Sequence, residues 1–134
     1  MSLESRHLMP EGINFFKKTV ENHTEVRRVS VKDVSFYKAI GTIYRYAPKP
    51  IVKTYIADVY VLTASDVNEI ISKYSDIDCI VVISNWDHYT DLAKNNAKKY
   101  GVGVFTLNEF LVALNYDGRK FLDTGVANAV EEDA

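Results

Sequence analysis

The sequence predicts an α/β fold, and three observations carry that prediction. Residues 79–83, Cys-Ile-Val-Val-Ile, form a continuous apolar run rich in β-branched side chains, the composition of a strand covered on both faces. An amphipathic helical stripe flanks it on either side: Val67, Ile70, Ile71 and Tyr74 before, and Tyr89, Leu92, Ala93, Ala97 and Tyr100 after. A second short apolar run, Val102 to Leu107, follows the second stripe. Strands alternating with helices of this length require right-handed crossovers, so strands near 54–63, 79–84 and 102–106 are expected to be mutually parallel. Helices over 66–74 and 89–100 are expected to pack on them.

The remaining elements follow in chain order. Residues 1–9 carry no periodic signal and are expected to be a flexible N-terminus. Pro10-Glu11 reads as a first helical turn, since proline tolerates that position and glutamate suits the helix dipole. Ile13, Phe16 and Val20 continue a helix that should end near His23 or Thr24. Val29 to Lys32 alternates as a half-buried strand after Val26-Arg27-Arg28. Residues 33–47 fit either period, and a strand over 39–46 is favoured because Ile43-Tyr44-Arg45-Tyr46 is rich in strand formers. Pro48-Lys49-Pro50 is a firm break. Ser65 or Asp66 is expected to cap the helix after the 54–63 strand, Asp87 or Thr90 the next one, and Asn108 the last. Gly101 stands where a helix-terminating glycine belongs. Tyr116-Asp117-Gly118 marks a turn, and residues 124–134 are expected to be a flexible acidic tail.

Composition narrows the function classes. A chain of 134 residues with a 47% hydrophobic share suits a single domain, here 10–123. The net charge of −2 gives no global attraction to nucleic acid or anionic lipid. The lone Cys79 excludes an internal disulfide and reads as a small buried hydrophobe. No stretch approaches a membrane span, and no signal-peptide core stands at the N-terminus. A cytoplasmic protein with no membrane partner is expected.

The order of elements, from about Ile13 to Leu114, resembles the restriction-endonuclease-like nuclease superfamily, which includes Holliday-junction resolvases and type IV restriction enzymes. The likeness is carried by the back half: an apolar strand, a polar break, Tyr89-x-x-Leu92-Ala93-x-x-x-Ala97, then Gly-Val-Gly-Val-Phe-Thr-Leu and a short terminal helix. The resemblance implies a single three-layer domain, with a mixed central sheet of about five strands and helices on both faces. It also implies a metal site built from an aspartate on one strand and an acid-x-lysine motif on the next. The corresponding strand here offers Asp58-Val59-Tyr60, with tyrosine in place of lysine, and the strand before it carries no acid. Glu25, Asp33 and Lys53 are the groups that could make a displaced set with Asp58. A domain without the standard metal site, acting as a nucleic-acid-binding or protein-interaction module, is therefore the first expectation, and no cofactor is expected. An active nuclease with a displaced, Mg²⁺-dependent site is the alternative.

Partners are read from charge. Residues 11–53 hold nine Lys or Arg against four Asp or Glu, a local +5. Lys17, Lys18, Arg27, Arg28 and Lys32 are the candidate phosphate contacts. Tyr37, Tyr44, Tyr46, Tyr55 and Tyr60 crowd the same half, where they suit base stacking or a homodimer interface. A third reading is a small α/β domain that binds a ligand or partner through Ser84, Asn85, Trp86 and His88, because ligands favour the carboxyl ends of strands in open sheets. The three histidines are too scattered to suggest zinc, and no glycine-rich phosphate loop or nucleophile elbow is present.

Overall fold

A computed structural model of the chain describes residues 10–32, 38–83 and 88–125. The segments expected to be flexible, 1–9 and all but the first two residues of 124–134, lie outside the described residues, as do Asp33, Tyr37 and 84–87.

Helix α1 (Pro10–Glu21) buries the predicted stripe Ile13, Phe16 and Val20. Strands β1 (Val26–Lys32), β2 (Lys38–Arg45) and β3 (Val52–Ala57) follow as an antiparallel meander. The chain then alternates: β4 (Val61–Leu62), α2 (Ala64–Lys73), β5 (Cys79–Val82), β6 (His88–Tyr89), α3 (Asp91–Lys98), β7 (Gly103–Thr106), α4 (Leu107–Ala113) and α5 (Gly118–Asp123). The main sheet has the order β1-β2-β3-β5-β7, with β3, β5 and β7 mutually parallel as expected. A mixed five-stranded sheet with helices on both faces results, a three-layer α/β arrangement.

Two apolar clusters define the layers. One joins α1, α4 and α5 to the sheet through Phe16, Ile43, Ile56, Val81, Phe105 and Phe110. The other joins α2 and α3 through Val67, Ile70, Ala93 and Ala97 to Tyr55, Ile80, Val82 and Val104. Strand residues alternate between the two, as the pleat demands. Gly103 is required by close approach, since a Cβ there would stand 2.6 Å from the Phe105 ring. Gly101 has φ 73° and ends the turn after α3, as its position in the sequence suggests.

Several details depart from expectation. The strand expected over 54–63 breaks after Ala57. Its last partner is Val82 of β5, and after residues 58–60 Val61 and Leu62 pair instead with His88 and Tyr89 in a separate two-stranded sheet. Asp58 thus lies in the irregular segment after β3, half-buried, and Tyr60 is 63% exposed at a bend, so the two do not share a strand face. Helix α2 is capped by Thr63, not by Ser65 or Asp66, in a reciprocal box with Asp66. Helix α4 is likewise capped by Thr106 with Glu109, not by Asn108. Thr90 caps α3. Because α3 starts at Asp91, its inner face is Ala93, Lys94 and Ala97, while Leu92 and Tyr100 are exposed. Helix α5 replaces the plain turn read at Tyr116–Gly118.

Candidate functional site

Helices α2 and α3 cover the second face of the sheet mainly over β3, β5 and β7; among the described residues of β1 and β2, only the half-buried Ile40 packs against that apolar cluster. The register places Arg28 opposite Tyr44, Ser30 opposite Thr42 and Lys32 opposite Ile40. Their neighbours in register, Val29 and Ile43, both belong to the first cluster, so Arg28, Ser30 and Lys32 face the other way. A β-bulge between Val26 and Arg28 disturbs the alternation. The Arg28 guanidinium lies 4.2 Å and that of Arg27 5.9 Å from the centre of the Tyr44 ring. Arg27, Arg28 and Lys32 are exposed and Tyr44 is half-buried, which makes a basic, aromatic strip on the β1–β2 half of the sheet.

The other basic residues of this half are placed differently. Lys17 and Lys18 are exposed on α1, which covers the opposite face of the sheet. Arg45 is buried and donates to the carbonyls of Pro50, Leu114 and Tyr116 at 2.9, 3.0 and 2.7 Å. Burial pulls its pKa down from the free value. Lys49 pairs with Glu25 at 3.2 Å. Lys53 pairs with Asp76, which holds the ammonium above and the carboxylate below their usual ranges. The +5 of residues 11–53 is therefore not one continuous patch.

Glu25, Lys53 and Asp58, the described members of the displaced nuclease set, do not lie together. Glu25 stands just before Val26, which pairs with Arg45, and Lys53 starts β3 at that same end of the sheet. Asp58 follows Ala57, which pairs with Lys38 at the other end. Five residues of strand separate Lys53 from Asp58, about 16 Å at ~3.3 Å per residue. Asp33 lies outside the described residues. No group of three or more His, Cys, Asp or Glu among the described residues could hold a metal ion. Of the ligand-loop candidates only His88 is described; it is exposed, and its backbone N–H donates to Tyr60 at 2.8 Å. Ser84, Asn85 and Trp86 lie outside the described residues.

Comparison with protein-family models, curated proteins and solved structures finds no match for this chain.

One constellation escaped sequence reasoning. Lys94 is 2% exposed, and its Nζ donates to the Val104 carbonyl at 2.6 Å. Gly103 of β7 bonds inward to Asp78 before β5, so the next residue turns its carbonyl to the outer edge. The ammonium covers that edge, 4.5 Å from the Phe105 ring centre and 5.3 Å from that of Tyr89. Desolvation lowers its pKa to about 8. The Tyr89 hydroxyl lies 3.1 Å from the Glu109 carboxylate and also donates to the Gly125 carbonyl. Gly125 has φ 89°, and a Cβ there would stand 2.3 Å from the Glu109 side chain. Lys98 of α3 pairs with Asp123 of α5 at 2.7 Å across the same edge. These groups are buried or bound to each other, so they seal an edge strand and present no open reactive centre. The Thr106-x-x-Glu109 spacing was the one readable signal, but nothing in the sequence distinguishes Lys94 from Lys98 or Lys99.

Proposed function

We propose that this chain is a restriction-endonuclease-like domain without a working metal site, and that it binds nucleic acid through the β1–β2 half of its sheet. The order helix, three-stranded meander, helix, strand, helix, strand, helix supports the first part of the reading. The observation that carries the second part is the pair of guanidiniums at Tyr44, with Lys32 on the same face four residues along from Arg28. Arginine donors suit phosphate oxygens, and a tyrosine ring already flanked by guanidinium is a preformed stacking platform. Arg28 to Lys32 spans about 13 Å of strand, enough to follow a short run of backbone.

Fluorescence anisotropy with labelled single-stranded, duplex and branched DNA and with RNA tests this reading. Three phosphate contacts should give a slope of log affinity against log salt of roughly −2 on single strands. Joint replacement of Arg27 and Arg28 with Ala should flatten that slope by about 1.4. Tyr44→Leu should weaken single-strand binding by roughly 1–3 kcal/mol while leaving the salt slope in place. No affinity for any of these at low salt would remove the reading and favour a small α/β partner-binding domain. The catalytic half is tested separately. No cleavage is expected with Mg²⁺ or Mn²⁺, because Glu25 and Asp58 stand at opposite ends of the sheet and Tyr60 cannot offset growing negative charge as an ammonium would. Cleavage that vanishes in Asp58→Asn would overturn that expectation.

A further inference from the structure

At the amino end of the parallel strands lies a cleft of about 190 Å³. Its apolar wall comes from Pro50, Ile51 and Val52 at the start of β3 and from Phe121 and Leu122 of α5. Small-molecule and cofactor sites run from ~300 Å³ upward. This cleft therefore suits one side chain rather than a nucleotide.

Three charged groups line it: Arg45, Asp78 and Asp117. Arg45 is 6% exposed and spends its Nε and Nη1 donors on three backbone carbonyls. Asp78 is exposed and accepts the Lys53 N–H at 2.8 Å. Asp117 is exposed at the start of α5, and its carboxylate makes no cap hydrogen bond to that helix. Arg119 and Lys120 of α5 are exposed but do not line the cleft. Two carboxylates against one guanidinium whose Nε and Nη1 are committed to the protein favour an incoming cation over an anion.

The surroundings add aromatic surface. Ile51 in the wall is 52% exposed, and Tyr46, Tyr100 and Tyr116, each next in sequence to a lining residue, are 52%, 64% and 41% exposed. Lys120 already places its ammonium 5.8 Å from the Tyr116 ring centre. An apolar wall with two exposed carboxylates in the lining matches a side chain with an aliphatic stem and a cationic head. Tyrosine is also the residue type enriched where protein partners dock.

We propose that this cleft is a protein-interaction site that receives one Arg or Lys side chain from an extended segment of a partner protein. It lies apart from the Arg28–Tyr44 strip and does not depend on the nucleic-acid reading.

The test is a ¹⁵N NMR titration of the whole chain with blocked pentapeptides, Gly-Ala-Arg-Ala-Gly and its norleucine and Glu counterparts. The Arg peptide should saturate, with shifts confined to Ile51, Val52, Gly101 and residues 117–122, and should bind at least ten-fold tighter than either counterpart. Joint Asp78→Asn and Asp117→Asn replacement should weaken it at least ten-fold with the rest of the spectrum unchanged. If that pair disturbs the fold, Ile51→Lys at an exposed wall position carries the test, because it fills the cleft with the chain's own ammonium and should abolish binding. Equal binding by the norleucine peptide, unsaturable shifts scattered over acidic surface, no shifts at all, or binding undiminished in the variants would each overturn the proposal.

Discussion

Between pH 7 and 9 Lys94 should release its proton within the folded chain. Its folded pKa of about 8 lies below the free value of 10.5, because desolvation opposes the ammonium. A lowered lysine pKa costs stability; the cost is full below about pH 8 and is relieved as pH rises towards 10.5. Cys79, Tyr55 and Tyr89 act in the opposite sense, because burial raises all three and the unfolded chain sheds those protons first above pH 9–10. The clean window is therefore pH 7 to 9, read as a difference from Lys94→Met. The native chain should gain about 1 kcal/mol on the variant across that interval, measured by urea denaturation. A flat difference would mean that the ammonium keeps more of its hydration than its burial implies. None of this was legible in the sequence, because burial of one lysine in a run of three is decided by where the helix begins. Cys79, by contrast, was legible, since a thiol inside an apolar run has no polar route out.

At the level of elements, the helices reveal how far local pattern reaches. The apolar stripes of α1 and α2 were read correctly because three or more residues at helical spacing overdetermine the face. Thr90 was among the caps expected for α3, but those of α2 and α4 were displaced by two or three residues because several polar side chains compete in each stretch. Thr63 and Thr106 win because each is the extended residue that leaves a strand, and each has an acid three positions on to complete the reciprocal box. Thr63→Ala and Thr106→Ala should each cost about 1 kcal/mol in chemical denaturation, whereas Ser65→Ala and Asn108→Ala should change stability by less than about half of that. A comparable loss at Ser65 would show that the cap lies where the sequence first suggested. The break after Ala57 is a tertiary effect. Residues 54–63 have strand composition throughout, but the neighbouring strand stops at Val82, and the chain must find another partner in His88–Tyr89.

For the whole molecule, alternation and crossover handedness specified the layers and the parallel half of the sheet. The candidate site was legible only in composition. Arginine and tyrosine abundance pointed to the first half of the chain, but the partition of basic residues over two faces follows from register, which the sequence does not display. The same register gives the molecule two unlike borders. At β7 the outward carbonyl of Val104 is occupied by Lys94, and Lys98 and Asp123 close the gap between layers. At β1 no strand lies on the outer side among the described residues. A strand from a second copy adding there would meet a ladder broken between Val26 and Arg28 and would face Arg27, Arg28 and Lys32. Edge-to-edge addition of copies is therefore expected to be opposed at both described borders, by occupied acceptors on one and by misfit and charge on the other. Fibril growth at high concentration should accordingly speed up when Arg27 and Arg28 are replaced together, since the same arginines that the nucleic-acid reading employs guard that edge.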